Sequence, residues 1–361
     1  MKHIVCFHLF NDYSGSPKVL KMVLEGLLKK GRRIDLTTSE GGVLDELSGY
    51  GGLQRHTYSY RFSSNPAVTI WRYCRTQLRT FVEAFRYRKQ GDVTFYINTL
   101  LPVGPAMAGR MMGKRVVYHY HENAFAKGAF YKILARAMQG LAHEIVCVSD
   151  YQASFLERKK GVTVIPNAVP DAFVKRLKPS VEEAFDRKRV LMLGSLKLYK
   201  GPLEFIGLAK ELPQFAFELV VNDTQEHIDQ FLKEYAIGIG GNLSIYPRQN
   251  DVVPFYNRAS VVVNLSDKRK VIETFGLTAL EAMMAGLPVI VPTEGGIAEM
   301  VEDGVNGYKI DVQEKEKIKD CIGRMLTDKD LYEQLAKQAM VRAHKFSEEK
   351  MLERVAAILD L

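Results

Sequence analysis

The 361-residue sequence is poor in cysteine, tryptophan and long apolar runs. Its four cysteines, Cys6, Cys74, Cys147 and Cys321, are far apart and form neither a CxxC pair nor a Cys/His cluster. That argues against a zinc motif and a disulfide framework and fits a reducing cytoplasm. The longest uncharged stretch, residues 93–109, is interrupted by Asn98, Pro102, Gly104 and Pro105, so it reads as strand plus loop rather than a membrane-spanning helix. The opening residues MKHIVCFHLFND carry His3 and His8 and lack a small-residue cleavage site, so a first β-strand is expected instead of a secretory leader. There is no internal repeat and no low-complexity tract.

What is present is a globular composition, 47% apolar and 25% charged, able to bury a full core. At about 150 residues per domain the length implies two domains. The net charge of +8 is unevenly spread: residues 1–170 hold 24 basic and 12 acidic side chains, residues 171–361 hold 26 and 30. The first part is therefore +12 and the second −4, which points to a polyanionic or membrane-surface partner for the first. No nucleic-acid-binding motif accompanies the basic residues, so nucleic acid is not expected as a partner.

Short β-branched runs alternate with helical patterns: IVCFHLF, RIDLTTS, VTFYIN, RVVYHYH and EIVCVS, then RVLMLGS, FAFELVV, LSIYP, SVVVNL and LPVIVP. That alternation predicts an α/β chain with parallel sheets built from βαβ units. The proline-containing VIPNAVPDAF and the charged stretch after it place a boundary near residue 170, giving domains 1–170 and 171–345. Each has enough strands for its own doubly wound sheet, whose ligands bind beyond the carboxyl ends of the strands. Residues 346–361 read as a terminal amphipathic helix, with Ser347 as N-cap and Glu348 and Glu349 in its first turn.

The segment from Ser260 to Ile310 reads strand, polar loop, helix, strand, Gly-rich turn, helix, strand. Its loop ends at Glu273-Thr274-Phe275-Gly276, and a helix follows from Leu277 to Ala285. The N–H groups at Gly276, Leu277 and Thr278, with the positive end of the helix dipole, suit a phosphate. Glu273 before the helix and Glu281 within it can each accept hydrogen bonds from ligand hydroxyls, which suits a nucleotide sugar. Spacing alone leaves an ordinary pair of capping and helix-surface glutamates equally open.

The stretch ETFGLTALEAMMAGLPVIVPTEGGIAEMVEDGVNGY resembles the donor-binding signature of glycosyltransferase family 4 (group 1 type), and GSLKLYKG, VIPNAV, YHYHEN and the opening loop NDYSGSPKVLKMVLEGLLKKG resemble its other landmarks. The resemblance implies the GT-B architecture, two Rossmann-like domains facing across a cleft, with the acceptor on domain 1–170, the donor on domain 171–345 and the terminal helix returning to the first domain. It further implies a retaining transfer from a UDP- or GDP-linked sugar to a saccharide or lipid-linked acceptor, as in surface polysaccharide or glycolipid synthesis, with no metal and no cofactor. In the matching positions Glu273 is expected to hold donor-sugar hydroxyls, Thr274, Phe275, Gly276, Leu277 and Thr278 to meet sugar and diphosphate, and Glu281 to take the ribose. Lys200 is expected to neutralise the diphosphate as it departs, a charge that a fixed cation and helix N–H groups stabilise. His121, rather than His119, is expected to line the donor sugar, and Gly15 to let the backbone approach the diphosphate.

One departure from the family pattern is Ser195, which stands where the family usually has Arg; serine supplies neither charge nor a bidentate fork, and Lys197 is the candidate substitute. A catalytically inactive relative acting in binding or assembly is the corresponding alternative. Asp328-Lys329-Asp330 opens a helical run and reads as capping rather than as a metal site. From Ile70 the apolar positions Ile70, Trp71, Cys74, Leu78, Phe81, Val82 and Phe85 recur at helical spacing, with Arg72, Arg75, Arg79 and Arg86 on other faces. The simplest reading packs that stripe on the first sheet, the arginines facing solvent or an anionic membrane surface to which the enzyme attaches peripherally.

Overall fold

The apolar runs that stay apolar at consecutive positions become strands buried on both faces, as parallel sheets require. A computed structural model describes residues 3–126 and 128–360. One sheet comprises β1 (His3–Phe7), β2 (Ile34–Ser39), β3 (Leu53–Tyr58), β4 (Val93–Asn98), β5 (Arg115–Tyr120), β6 (Glu144–Cys147) and β7 (Val162–Val164), in the order β3-β2-β1-β4-β5-β6-β7. The other comprises β8 (Arg189–Gly194), β9 (Ala216–Val221), β10 (Leu243–Tyr246), β11 (Val261–Val263), β12 (Val289–Val291) and β13 (Gly307–Lys309), in the order β10-β9-β8-β11-β12-β13. Every pairing is parallel: Ile4 of β1 lies opposite Ile34 of β2 and Thr94 of β4, and Val190 of β8 opposite Phe217 of β9 and Val261 of β11.

Both sheets are therefore doubly wound, and the strand order reverses between β1 and β4 in the first and between β8 and β11 in the second. Loops leaving the carboxyl ends of those strand pairs diverge, and ligands of such sheets bind there. Two strands were not legible in the sequence: LQRHTY (β3), whose alternation is broken by Arg55 and His56, and the three-residue VTV (β7).

The chain divides into two compact units, Met1–Asn167 with Glu349–Leu361, and Ala168–Glu348. In the first, the terminal helix Glu348–Asp360 packs its Leu352 against Gly26, where an added Cβ would stand 2.5 Å from Leu352 Cδ1. Its carbonyls at Leu359 and Ile358 accept from Thr94 Oγ1 (3.1 Å) and Arg115 Nη2 (3.3 Å), and Arg354 donates to the Val164 carbonyl (2.7 Å).

The helix Pro66–Ala84 corrects the packing expected from its apolar stripe. Tyr73, Thr76, Thr80 and Ala84 face inward, while Ile70, Trp71, Cys74, Leu78 and Val82 are exposed, and only Phe81 and Phe85 are half-buried. The polar residues are buried at little cost because each is satisfied: Thr76 Oγ1 donates to the Arg72 carbonyl (2.9 Å), Thr80 Oγ1 to that of Thr76 (2.9 Å), and the Tyr73 hydroxyl to that of Leu101 (2.8 Å). Gly104 lies so close to the Gln77 carbonyl that a Cβ there would stand 2.3 Å from its oxygen. Small residues on the neighbouring helix Val103–Met111 thus select the threonine face for close approach.

Candidate functional site

In the unit Ala168–Glu348, the loops after β8 and β11 are joined. Gly201, at φ +80°, sits against Leu265, where a Cβ would be 2.5 Å from both the Leu265 Cβ and its carbonyl oxygen. The Asp267 N–H donates to the Tyr199 carbonyl (2.9 Å). These backbone contacts carry Lys200 to Glu273, with which it forms an ion pair and hydrogen bond, both side chains half-buried. Ser266 Oγ donates to the same Glu273 oxygen (3.0 Å). Burial alone would push the Glu273 carboxyl up, but the Lys200 ammonium and hydrogen bonds from Lys200, Ser266 and Asn264 outweigh it and hold the group below the usual carboxylate range.

The helix Leu277–Met284 starts where it was expected and ends one residue earlier. Gly276 caps it at φ +88°, and a Cβ at Gly276 would stand 2.5 Å from Ile297; only glycine meets both demands. From the next loop, Gly295 at φ +109° approaches the Glu273 carbonyl, where a Cβ would fall 2.5 Å from the oxygen. The paired-glycine turn therefore backs the glutamate, and Lys268 braces the same two loops with contacts of 2.9 Å each to Thr293 Oγ1 and Glu294 Oε1. The Leu277 and Thr278 N–H groups belong to the first turn, which a helix cannot satisfy internally. Phe275 is buried with its ring against Phe346, so this position offers backbone rather than side chain.

Glu281 lies one turn into that helix and accepts from the hydroxyl of buried Tyr256 (2.5 Å). Burial and the adjacent carboxylate drive the Tyr256 hydroxyl well above its ordinary pKa, fixing it as a donor. Ser195 follows β8 directly and is half-buried; Lys197 is exposed and makes no ion pair among the described residues. Asp328 caps the helix Lys329–Ala343 by accepting from the Leu331 N–H (3.0 Å).

In the unit Met1–Asn167 with Glu349–Leu361, His121 follows β5 and shares Asn98, at the end of β4, with His8 after β1. The Asn98 amide nitrogen is 3.0 Å from His8 Nδ1, and its oxygen 3.0 Å from His121 Nε2. An amide nitrogen only donates and an amide oxygen only accepts, so His8 accepts at Nδ1 and His121 donates at Nε2. His119 lies deeper on the same side of β5, its ring 4.3 Å from that of His121 and its Nδ1 2.6 Å from the Tyr96 hydroxyl. Burial lowers His8 to about 4 and His119 to about 3, and it holds His121 well below the ordinary value with help from the other two rings, so all three are neutral at pH 7. Beside Asn98, buried Thr99 adopts φ +69°, a costly conformation for a β-branched residue, and its N–H donates to the His119 carbonyl (2.9 Å). Gly15 takes no part in this network: it is the exposed first residue of the helix Gly15–Lys29, so the helical conformation there makes no demand for glycine.

The structure thus groups Lys200, Glu273 and the start of the helix on adjoining loops of one unit, and sets His121 in a histidine and asparagine network of the other. Sequence reasoning missed His8, Asn98, Tyr256, Asn264 and Ser266. Four of these stand within three residues beyond or at the end of a strand, where a polar residue closes an apolar run (IVCFH, VTFYIN, VVVNLS); Tyr256, on a helix, left no such signal.

Two family models match, Glycosyltransferase Family 4 over residues 13–173 and Glycosyl transferases group 1 over residues 173–342. Among curated proteins, a D-inositol 3-phosphate glycosyltransferase of Corynebacterium urealyticum is 25% identical over 234 residues, covering 58% of this chain and 54% of that protein. One of Xylanimonas cellulosilytica is 28% identical over 183 residues, covering 49% and 42%. The chain spans about half the length of these relatives. Among solved structures, Anabaena HepE in complex with UDP and glucose superposes with a TM-score of 0.80 at 18% identity over 99% of both chains. Sucrose-phosphate synthase of Thermosynechococcus elongatus does so with 0.77 at 19% identity, over 99% and 98%. At such identities the likeness shows the fold, which is GT-B.

Proposed function

The chain belongs to the glycosyltransferases of group 1 and family 4, and on that premise we propose that it transfers a sugar, with retention, from a UDP- or GDP-linked donor to a saccharide or lipid-linked acceptor. The observation that carries the reading is the Lys200–Glu273 pair beside the glycine-capped helix start. A half-buried ammonium, with N–H groups left over by the helix, suits a diphosphate whose charge grows as the glycosidic bond breaks. In this reading the C1–O bond to the diphosphate breaks with its electron pair going to the phosphate oxygen. The acceptor oxygen forms the new bond to C1 on the same face and gives its proton to the departing phosphate. Glu273 holds sugar hydroxyls, Glu281, oriented by Tyr256, holds the ribose, and neutral His121, whose Nε2–H is engaged by Asn98, lines the sugar. Because fixed protein groups supply the countercharge, the reading assigns no metal or other cofactor to the step. Ser195 adds no charge, so Lys197 takes the second cationic role. The acceptor is met in the cytoplasm or on the inner face of a membrane, in synthesis of a surface polysaccharide or glycolipid.

A thermal-shift panel with nucleoside diphosphates at millimolar concentration tests it: one of UDP or GDP should stabilise the protein. Glu281→Ala should weaken that shift, while Glu273→Ala should keep most of it and lose transfer. No shift with any nucleotide would favour the inactive relative that the Ser195 departure raises.

A further inference from the structure

The helix Pro66–Ala84 presents an unusual surface. With 100° between residues, Ile70, Phe81, Cys74, Phe85, Leu78, Trp71 and Val82 fill one continuous arc of about 120° in the helical projection. Arg75, Arg86, Arg79 and Arg72 fill the next arc, and the inward face lies beyond. Ile70 is 55% exposed, Trp71 60%, Leu78 66% and Val82 62%, values normal for charged side chains and not for these. The two helices nearest it add more of the same: Val103–Met111 exposes Met107 and Met111, and Ala129–Leu141, reached through the Tyr73–Phe130 ring contact at 5.6 Å, exposes Phe130 and Ile133. Beside the arginine arc lies a concavity of about 580 Å³ lined by Tyr58, Arg61, Trp71, Arg72, Arg75 and Arg79, among others. Arg79 pairs with Glu83 (2.8 Å); Arg61, Arg72 and Arg75 make no ion pair among the described residues, Arg75 resting instead on the Trp71 ring at 5.6 Å.

We propose that this face docks on an anionic lipid bilayer: the apolar arc enters the boundary between headgroups and acyl chains, and the arginine-lined concavity takes lipid phosphates. A helix rich in arginine on one side and in tryptophan and aliphatic residues on the other lies in that boundary plane. Charge selects the occupant, since three guanidiniums lack a protein carboxylate and the residues 1–170 carry +12. The inference deepens the reading of a membrane-met acceptor and rests on it only for its purpose.

Trp71 is the chain's single tryptophan, so its fluorescence reports this face without labelling. With the full chain at physiological salt, phosphatidylcholine vesicles containing phosphatidylglycerol should shift Trp71 emission to the blue and co-sediment the protein, whereas pure phosphatidylcholine should do neither. Arg61→Gln with Arg75→Gln should weaken binding about fivefold per residue removed. Ile70→Ser with Leu78→Ser should weaken it on the order of tenfold or more, leaving the nucleotide-induced thermal shift unchanged. No emission shift with anionic vesicles overturns the proposal. So does a concentration-dependent dimer that the serine variant dissociates, because a second copy then covers the face. Transfer to a soluble saccharide in the same preparations separates the two readings: transfer without vesicle binding removes only the docking, and vesicle binding without any nucleotide response removes only the transferase assignment.

Discussion

The two units share one sheet topology and differ in what they leave at the surface. Among the described residues, the unit Met1–Asn167 with Glu349–Leu361 exposes eleven large apolar side chains, eight of them on three helices, and the unit Ala168–Glu348 exposes four scattered ones. Scattered apolar residues are ordinary, whereas a gathered set rimmed by arginine marks a contact surface. The interiors differ as well. The first unit gathers three neutral histidines beside its switch point, His8 and His119 buried and His121 half-buried, while the second places an ion pair, Lys200–Glu273, at the corresponding place. A twofold repeat of one architecture thus supports two different chemistries, because the loops at the strand ends, not the strands, carry the polar groups.

The difference can be broken most strongly with acid. His8 and His119 have native pKa values lowered to about 4 and about 3 from an ordinary 6.5, so the folded state binds fewer protons than the unfolded one below that value. Their contribution is complete above pH 6.5 and is lost as pH falls toward 4, by on the order of 5 kcal/mol for the two together. Hydrogen exchange read peptide by peptide should show β1, β4 and β5 losing protection at a higher pH than β8 and β11. The reverse order would contradict the histidine assignment.

A smaller effect sharpens the second unit. Gly295→Ala places a Cβ against the Glu273 carbonyl at a φ of +109°, so it should destabilise by about 3 kcal/mol and displace the glutamate. Urea unfolding reads the first and loss of sugar transfer the second; an unchanged midpoint would show that the two loops are not held as described. The smallest effect belongs to the exposed face. Leu78→Ser should change stability by less than about 0.5 kcal/mol, where a packed leucine would cost several. A large loss would mean that the face is covered within the folded chain.

Much of this was legible in the sequence. The loop ending at Gly276, the helix that follows it and the paired glycines were readable because backbone demands at turns are local and fall on few residue types. The histidine network was only half readable: His121 stood in a recognisable context, but its partner Asn98 is 23 residues away, and parallel pairing of β4 with β5 brings the two strand ends together. The helix Pro66–Ala84 was misjudged for a different reason. Periodicity shows that an apolar stripe exists, and it says nothing about which side of the helix the sheet will take.

The sequence by itself determined the succession of strands and helices, the parallel class of both sheets and the glycines at φ values other residues avoid, since each follows from interactions between near neighbours in the chain. Only the tertiary structure decided that Lys200 meets Glu273, that Asn98 serves two histidines and that threonines rather than leucine and tryptophan face the core. Those outcomes depend on contacts between distant segments, where a small residue such as Gly104 on one helix fixes which face of another can approach.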